Sequence, residues 1–234
     1  MKIVTIHQPN YLPWSGLFSR IKQVEYFVIA DVMKYTYHSV TNRNKVRTNM
    51  GWSYLTIPLN KKLSGSKICD ILLPKDKQWT EDHWKTIQHN YTKTDFFRLY
   101  QNFFKELYQK DFQYLWQINE EIILYLLKYF DINVKVIKGS ELDVDPNLEK
   151  TDLIIAMLKS VGADIYLSGP SGKNYLEFDK FPQNNIDLKF FKFQHPVYKQ
   201  RYPGFEPNMA AIDLLFNMGS RSAEIIKMAG AIEI

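Results

Sequence analysis

Ile3-Val4-Thr5-Ile6-His7-Gln8-Pro9-Asn10-Tyr11-Leu12-Pro13-Trp14-Ser15-Gly16 opens this chain, and Tyr26-Phe27-Val28-Ile29-Ala30-Asp31 follows after a short helical stretch. Lys2 to Ile6 reads as an apolar strand that breaks into a loop dense in His, Gln, Pro and aromatic residues. Trp14 to Gln23 reads as a helix with Leu17, Phe18 and Ile21 on one side, and Tyr26 to Ala30 as a second strand. Strand, helix and strand in this order begin a βαβ unit. A loop of that composition is poor core material. In open parallel sheets, ligands bind beyond the carboxyl ends of the strands, where such a loop lies. His7 and Asp31 end the two strands and are expected on one sheet edge.

The texture changes from Lys34 to Leu73, where aromatic and β-branched residues alternate with polar ones and Asn49-Met50-Gly51 supplies a turn. This predicts an antiparallel hairpin insertion over 34–73. Thr80 to Phe130 reads as a helical segment, with Trp84, Ile87 and Tyr91 and then Phe96, Tyr100, Phe103 and Leu107 at spacings of three and four. Its many aromatics fit core packing better than base stacking. Alternation then resumes: a strand over Val134–Ile137, a helix over Leu148–Val161, strands over Ala163–Leu167 and Leu188–Phe193, and a helix over Met209–Met218 closed by Gly219. The expected fold is one α/β domain over residues 1–234, a mainly parallel Rossmann-like sheet flanked by helices.

Composition sets outer bounds. The chain has 234 residues, 45% of them hydrophobic, enough for a substantial core. It has no apolar run near the length of a membrane span, and its start carries no signal-peptide pattern. A lone cysteine, Cys69, excludes an intrachain disulfide framework and suits a reducing compartment, so a cytoplasmic location is expected. The net charge of +5 admits an anionic partner, but the lysines are interspersed with acidic residues. A phosphorylated small molecule therefore fits better than nucleic acid, which calls for a concentrated basic stripe.

Several polar clusters are candidates for a site. His7 is an acid, base or donor near neutral pH, with Gln8, Tyr11 and Trp14 in the same loop. Asp31 suits a ribose hydroxyl, an amino group, a metal or a helix or turn cap. Arg43 carries a fork suited to phosphate or carboxylate, and Asn44 adds an amide. Ser168-Gly169-Pro170-Ser171-Gly172-Lys173 departs from the P-loop spacing, but its glycines allow a close backbone approach to a ligand. Ser168, Ser171, Lys173 and Tyr175 are the candidates there, and His195 and Gln200 follow the Leu188–Phe193 strand. No HExxH, CxxC, GxGxxG or GxSxG pattern occurs and Cys69 has no activating neighbour in sequence, so neither a metal site nor a thiol nucleophile is favoured, and the cofactor is left open.

The residues His7-Gln8-Pro9-x-Tyr11-x-Pro13-Trp14-x-Gly16, Asn42-Arg43-Asn44, Ser140-Glu141-Leu142, Gly162-Ala163-Asp164-x-Tyr166-Leu167-Ser168-Gly169-Pro170-Ser171-Gly172-Lys173, His195-Pro196-x-Tyr198-x-Gln200 and Asp213-Leu214-Leu215-Phe216-Asn217-x-Gly219 resemble the WbqC-like family of bacterial proteins over nearly the whole chain. Gly139 stands where that pattern has a Ser, and Met209-Ala210-Ala211 replaces a Leu-Ser-Ile type. The resemblance implies a role in surface-polysaccharide (O-antigen) biosynthesis, with transfer of an amino acid such as glycine onto an amino sugar. The early His loop is also similar to that of adenylate-forming ligases and nucleotidyltransferases, but Asn10 stands where those have a second His.

Three functions follow as expectations. The first is an acyl or aminoacyl transferase acting on a nucleotide-linked amino sugar. In it His7 is base or oxyanion donor, Asp31 orients the amine, and Arg43 and Lys173 hold phosphate. The second is an ATP-dependent carboxylate-activating ligase. The third is a non-catalytic binding subunit of a glycan-assembly complex. A homo-oligomer is left open.

Overall fold

The computed structural model describes residues 1–233. The chain begins with β1 (Ile3–His7), α1 (Ser15–Ile21) and β2 (Tyr26–Ile29), the expected βαβ start. A hairpin of β3 (Arg43–Thr48) and β4 (Gly51–Thr56) follows, then the helices α2 (Gln78–Tyr91), α3 (Phe97–Leu107) and α4 (Leu115–Tyr129). The chain continues through β5 (Lys135–Lys138), α5 (Lys150–Ser160), β6 (Ile165–Ser168), α6 (Lys180–Gln183) and β7 (Asp187–Phe193). It ends with α7 (Ala211–Met218), α8 (Arg221–Met228) and β8 (Gly230–Ile232).

Six strands form one sheet in the order β5-β2-β1-β6-β7-β8. The first five are parallel, and β8 closes the edge antiparallel to β7. β3 and β4 make a separate two-stranded sheet. The fold is thus mixed α/β, a mostly parallel sheet flanked by helices, with the hairpin set apart from it.

Strand alternation assigns the two faces. In β2, Phe27 and Ile29 join a core with α1, the α2–α4 segment and α7, whereas Val28, and Ala30 just past the strand, join one with α5. β1 follows the same rule, with Val4 and Ile6 facing α5. Every residue of α1 is buried, because α8, β7 and β8 also pack against this helix. The helical aromatics are core, as expected: Phe104 and Phe97 meet Phe216 edge-on, and Phe103 stacks on Tyr125. Gly219 closes α7 at φ 57°, and a Cβ there would fall 2.5 Å from the Phe96 ring.

The insertion differs from its expected form. Only residues 43–56 pair as a hairpin, turning through Asn49-Met50, because Thr48 pairs with Gly51 at φ 109°. Cys69 lies in a 3₁₀ turn (Ile68–Asp70) rather than a strand, half-buried, with its thiol pushed up to about 11 by burial and the neighbouring Asp70. α6 and β8, of four and three residues, are too short to announce themselves in the sequence, and α8, as long as α7, is a further helix beyond those expected.

Candidate functional site

The strand order reverses at β1. From β1 the chain moves through α1 to β2 and on to β5, whereas β6 and β7 lie on the opposite side. Such a switch point leaves a crevice beyond the strand ends. A cavity of about 630 Å³ occupies it, lined by residues at and beyond the ends of β1, β2 and β6 and by Phe191 and Phe193 of β7. Its volume is typical of a small-molecule site.

The loop after β1 forms one wall, and side chains from four segments fix its shape. Asn119 of α4 donates to the Pro9 carbonyl at 2.9 Å and to the Thr41 carbonyl at 2.8 Å. Asn44 donates to the Leu12 carbonyl at 2.5 Å, holding Leu12 at φ 45°, a conformation unfavourable for a branched residue. Tyr11 donates its backbone N–H to Val40 and lies fully buried beneath the loop, its hydroxyl 2.7 Å from His83 Nδ1 and 2.5 Å from the Tyr108 hydroxyl. Burial holds His83 neutral, its pKa down at about 4. Gln8 reaches Lys34 and Thr41 with its amide. The loop is preorganised, as a binding wall must be.

His7 ends β1 and turns an open edge toward the cavity. Its Nδ1 lies 2.9 Å from the Gln8 carbonyl oxygen, which can only accept, so Nδ1 carries the proton. Nε2 takes no partner among the described residues and is left as a proton acceptor. Burial, and then the Arg20 charge, lower the His7 pKa to about 4, so the ring is neutral at pH 7.

Arg20 is the residue that sequence reasoning missed. It sits on α1, lines the cavity and is only 6% exposed. Its Nε and Nη2 are enclosed and meet no hydrogen-bond acceptor. A Cβ on Gly169 would fall 2.2 Å from its Nη1, so that glycine admits the guanidinium against the loop after β6. The signal that could have found it is its place one turn after Gly16 on a helix whose other residues are apolar or small.

The β6 loop supplies Ser168, Ser171 and Tyr175 to the cavity. Ser168 is buried, and Gly172 packs so closely that a Cβ would fall 2.2 Å from its Oγ. Trp14 walls the cavity beside Phe193, with ring centroids 4.9 Å apart in an edge contact. Lys34, Lys67 and Lys150 line the cavity from three separate segments, with Glu149 the acidic residue among the lining, 2.6 Å from Lys34.

The other residues singled out in the sequence lie elsewhere. Of His7, Asp31, Arg43, Lys173 and His195, only His7 lines the cavity. Asp31 is buried and accepts from the Ser140 N–H at 2.8 Å and hydroxyl at 2.6 Å, tying down the turn after β5. Arg43 lies over the Tyr54 ring on the hairpin, and Lys173 pairs with Glu233 at 2.6 Å. His195 donates Nδ1–H to the Pro196 carbonyl and accepts the Asn208 N–H on Nε2, so both nitrogens serve the loop. Gln200 donates to the Glu206 carbonyl and, beside Tyr198, to the buried Asp213 carboxylate. Among the described residues, no three His, Cys, Asp or Glu side chains gather as metal ligands, and no helix is long and apolar enough to cross a membrane.

Comparison with known proteins agrees with the sequence motifs. The uncharacterized protein Rv1507c of Mycobacterium tuberculosis is 29% identical over 230 residues, which span 97% of this chain and 98% of the relative. The description of the WbqC-like protein family matches residues 8–225, a span that includes most of the His7 loop, all of α1 and the β6 loop. The chain belongs to the WbqC-like protein family.

Proposed function

We propose that this protein is a cytoplasmic enzyme of bacterial surface-polysaccharide assembly that transfers an acyl or aminoacyl group to the amino group of a nucleotide-linked amino sugar. The observation that carries the reading is His7, neutral and with Nε2 unpartnered, in a cavity of nucleotide size at the sheet's switch point. The amine attacks the activated acyl carbon, an amide bond forms, and the bond to the donor's leaving group breaks. Nε2 takes the proton that the amine loses and returns it to the leaving group. General base catalysis of this kind supplies roughly 10²–10⁴-fold. Lys34, Lys67 and Lys150 supply positive charge for the diphosphate, a role that Arg43 and Lys173, held elsewhere, do not take. Trp14 and Tyr175 offer aromatic surface to a base or sugar ring.

The test is product formation followed by mass spectrometry. Purified protein is incubated with UDP-, GDP- and dTDP-linked amino sugars and with acyl donors, glycine plus ATP included. The expected result is an acylated sugar nucleotide whose formation falls on the order of 100-fold in His7→Asn while sugar-nucleotide binding persists. Product that forms only with ATP and Mg²⁺ turns the reading to the carboxylate-activating ligase. Binding without product from any donor defeats the transferase and favours the non-catalytic subunit.

A further inference from the structure

Two buried arginines in this chain have opposite surroundings. Arg47, 3% exposed, donates Nη1–H to the Thr48 and Gly51 carbonyls at 2.6 Å each and Nη2–H to the Pro203 carbonyl at 2.7 Å. It cross-links the hairpin to the loop before α7, which is what a structural arginine does. Arg47 leaves only Nε without an acceptor, whereas Arg20, nearly as buried, makes no such bond and leaves both Nε and Nη2 without one. No carboxylate among the described residues pairs with it either. The groups that carry or could carry charge around it are His7, Tyr166 and Tyr175. His7 is neutral, and burial pushes both phenols further from ionisation, with Tyr166 up to about 12. A lone buried cation is costly unless something pairs with it, and nothing among the described residues does.

Arg20 also lies where a ligand would reach it. It lines the cavity together with His7, Ser168 and Gly169, and the bare Gly169 is the condition for its Nη1 to approach the β6 loop. On this packing helix the guanidinium is unpaired among the described residues, and Nη1, the nitrogen against Gly169 and the one not enclosed, is the donor it offers to an oxyanion. The lysines that line the same cavity are side chains of exposed or half-buried residues, so Arg20 marks a separate, enclosed subsite.

We infer that Arg20 seats an oxyanion of the substrate, a carboxylate or phosphoryl group, beside His7 in the switch-point cavity. The inference rests on that cavity being the substrate site. Under the transferase reading the oxyanion belongs either to the sugar nucleotide or to the acyl donor. In both cases the ligand's negative charge offsets the Arg20 charge, which adds to burial in keeping His7 weakly basic.

The experiment measures calorimetric binding of inorganic phosphate and, separately, of acetate to the wild type, Arg20→Met and Arg20→Lys, with melting temperatures of each protein without ligand. Saturable binding of an oxyanion to the wild type, weakened on the order of 100-fold in Arg20→Met and partly kept in Arg20→Lys, is expected. Phosphate alone names a phosphoryl group, acetate alone a carboxylate, and both together a site that takes either. Arg20→Met should melt no lower than the wild type, whereas Arg47→Met should melt lower. Binding that survives Arg20→Met overturns the inference, as does a wild type that binds neither ion. So does a loss of stability in Arg20→Met equal to that of Arg47→Met. Because no turnover is read, its failure leaves the transferase open, and an inactive protein whose phosphate binding needs Arg20 sinks only the transferase.

Discussion

Replacing Asn119 by alanine tests whether the His7 loop is held from α4. The Asn119 amide donates to two carbonyls, Pro9 and Thr41, in surroundings where Asn119 and Thr41 are fully buried and Pro9 is buried. Each carbonyl left without its donor costs about 1–3 kcal/mol. Asn119 Oδ1 already lacks a partner, and its removal returns part of that cost. The net loss is about 2–4 kcal/mol. At about 2.1 cal/mol/K per residue, a chain of 234 residues unfolds with an entropy near ~0.5 kcal/mol/K, so the melting temperature should fall by about 4–8 °C. Scanning calorimetry reads that shift. Hydrogen exchange at the Tyr11 N–H, bonded to Val40, should quicken as the loop loosens. Asn119→Asp adds a control, since its carboxylate aims at two carbonyls and cannot donate. It should melt below Asn119→Ala at pH 7 and recover as acid protonates it. A drop within about 1 °C for both variants, with unchanged exchange, would refute the account.

Acid should weaken the fold through its neutral histidines. His7 and His83 are both lowered to about 4, so between pH 6.5 and 4 the unfolded chain binds protons that the folded chain refuses. Above pH 7 they contribute nothing; below, stability falls and levels off near pH 4, by up to roughly 3 kcal/mol for each ring. Urea midpoints across that window should show a shallower pH slope in His83→Gln than in the wild type, and equal slopes would reject the assignment. Gly172→Ala should cost about 1–3 kcal/mol through the clash with Ser168 Oγ. A double-mutant cycle with Ser168→Ala should recover part of it; strict additivity would show that the two do not touch.

Much of the cavity wall could be read from residue order. The βαβ start, the His7-to-Gly16 loop and the Ser168-to-Gly172 loop lie where strand-end logic puts them, because parallel strands bring their carboxyl ends to one edge whatever their partners are. His7, Gln8, Trp14, Ser168, Ser171 and Tyr175 line the cavity for that reason. Arg43, Lys173 and His195 share the chemistry of site residues but not their direction. A side chain's residue type says nothing about which neighbour it meets, and here those neighbours are Tyr54, Glu233 and the Pro196–Asn208 loop.

Hydropathy period and turn residues alone determined the alternation of strands and helices, the aromatic core of the helical segment and the Gly219 stop. Those signals act between residues a few positions apart, and a linear string carries them. Tertiary structure decided what a string cannot carry. It placed the strand-order reversal at β1, brought Asn119 under a loop 110 positions away, and enclosed α1 with α8 and β8. Arg20 shows the physical reason. On a seven-residue helix it is indistinguishable from a solvated arginine, and only the packing around α1 makes it a buried cation, unpaired among the described residues, at a cavity wall.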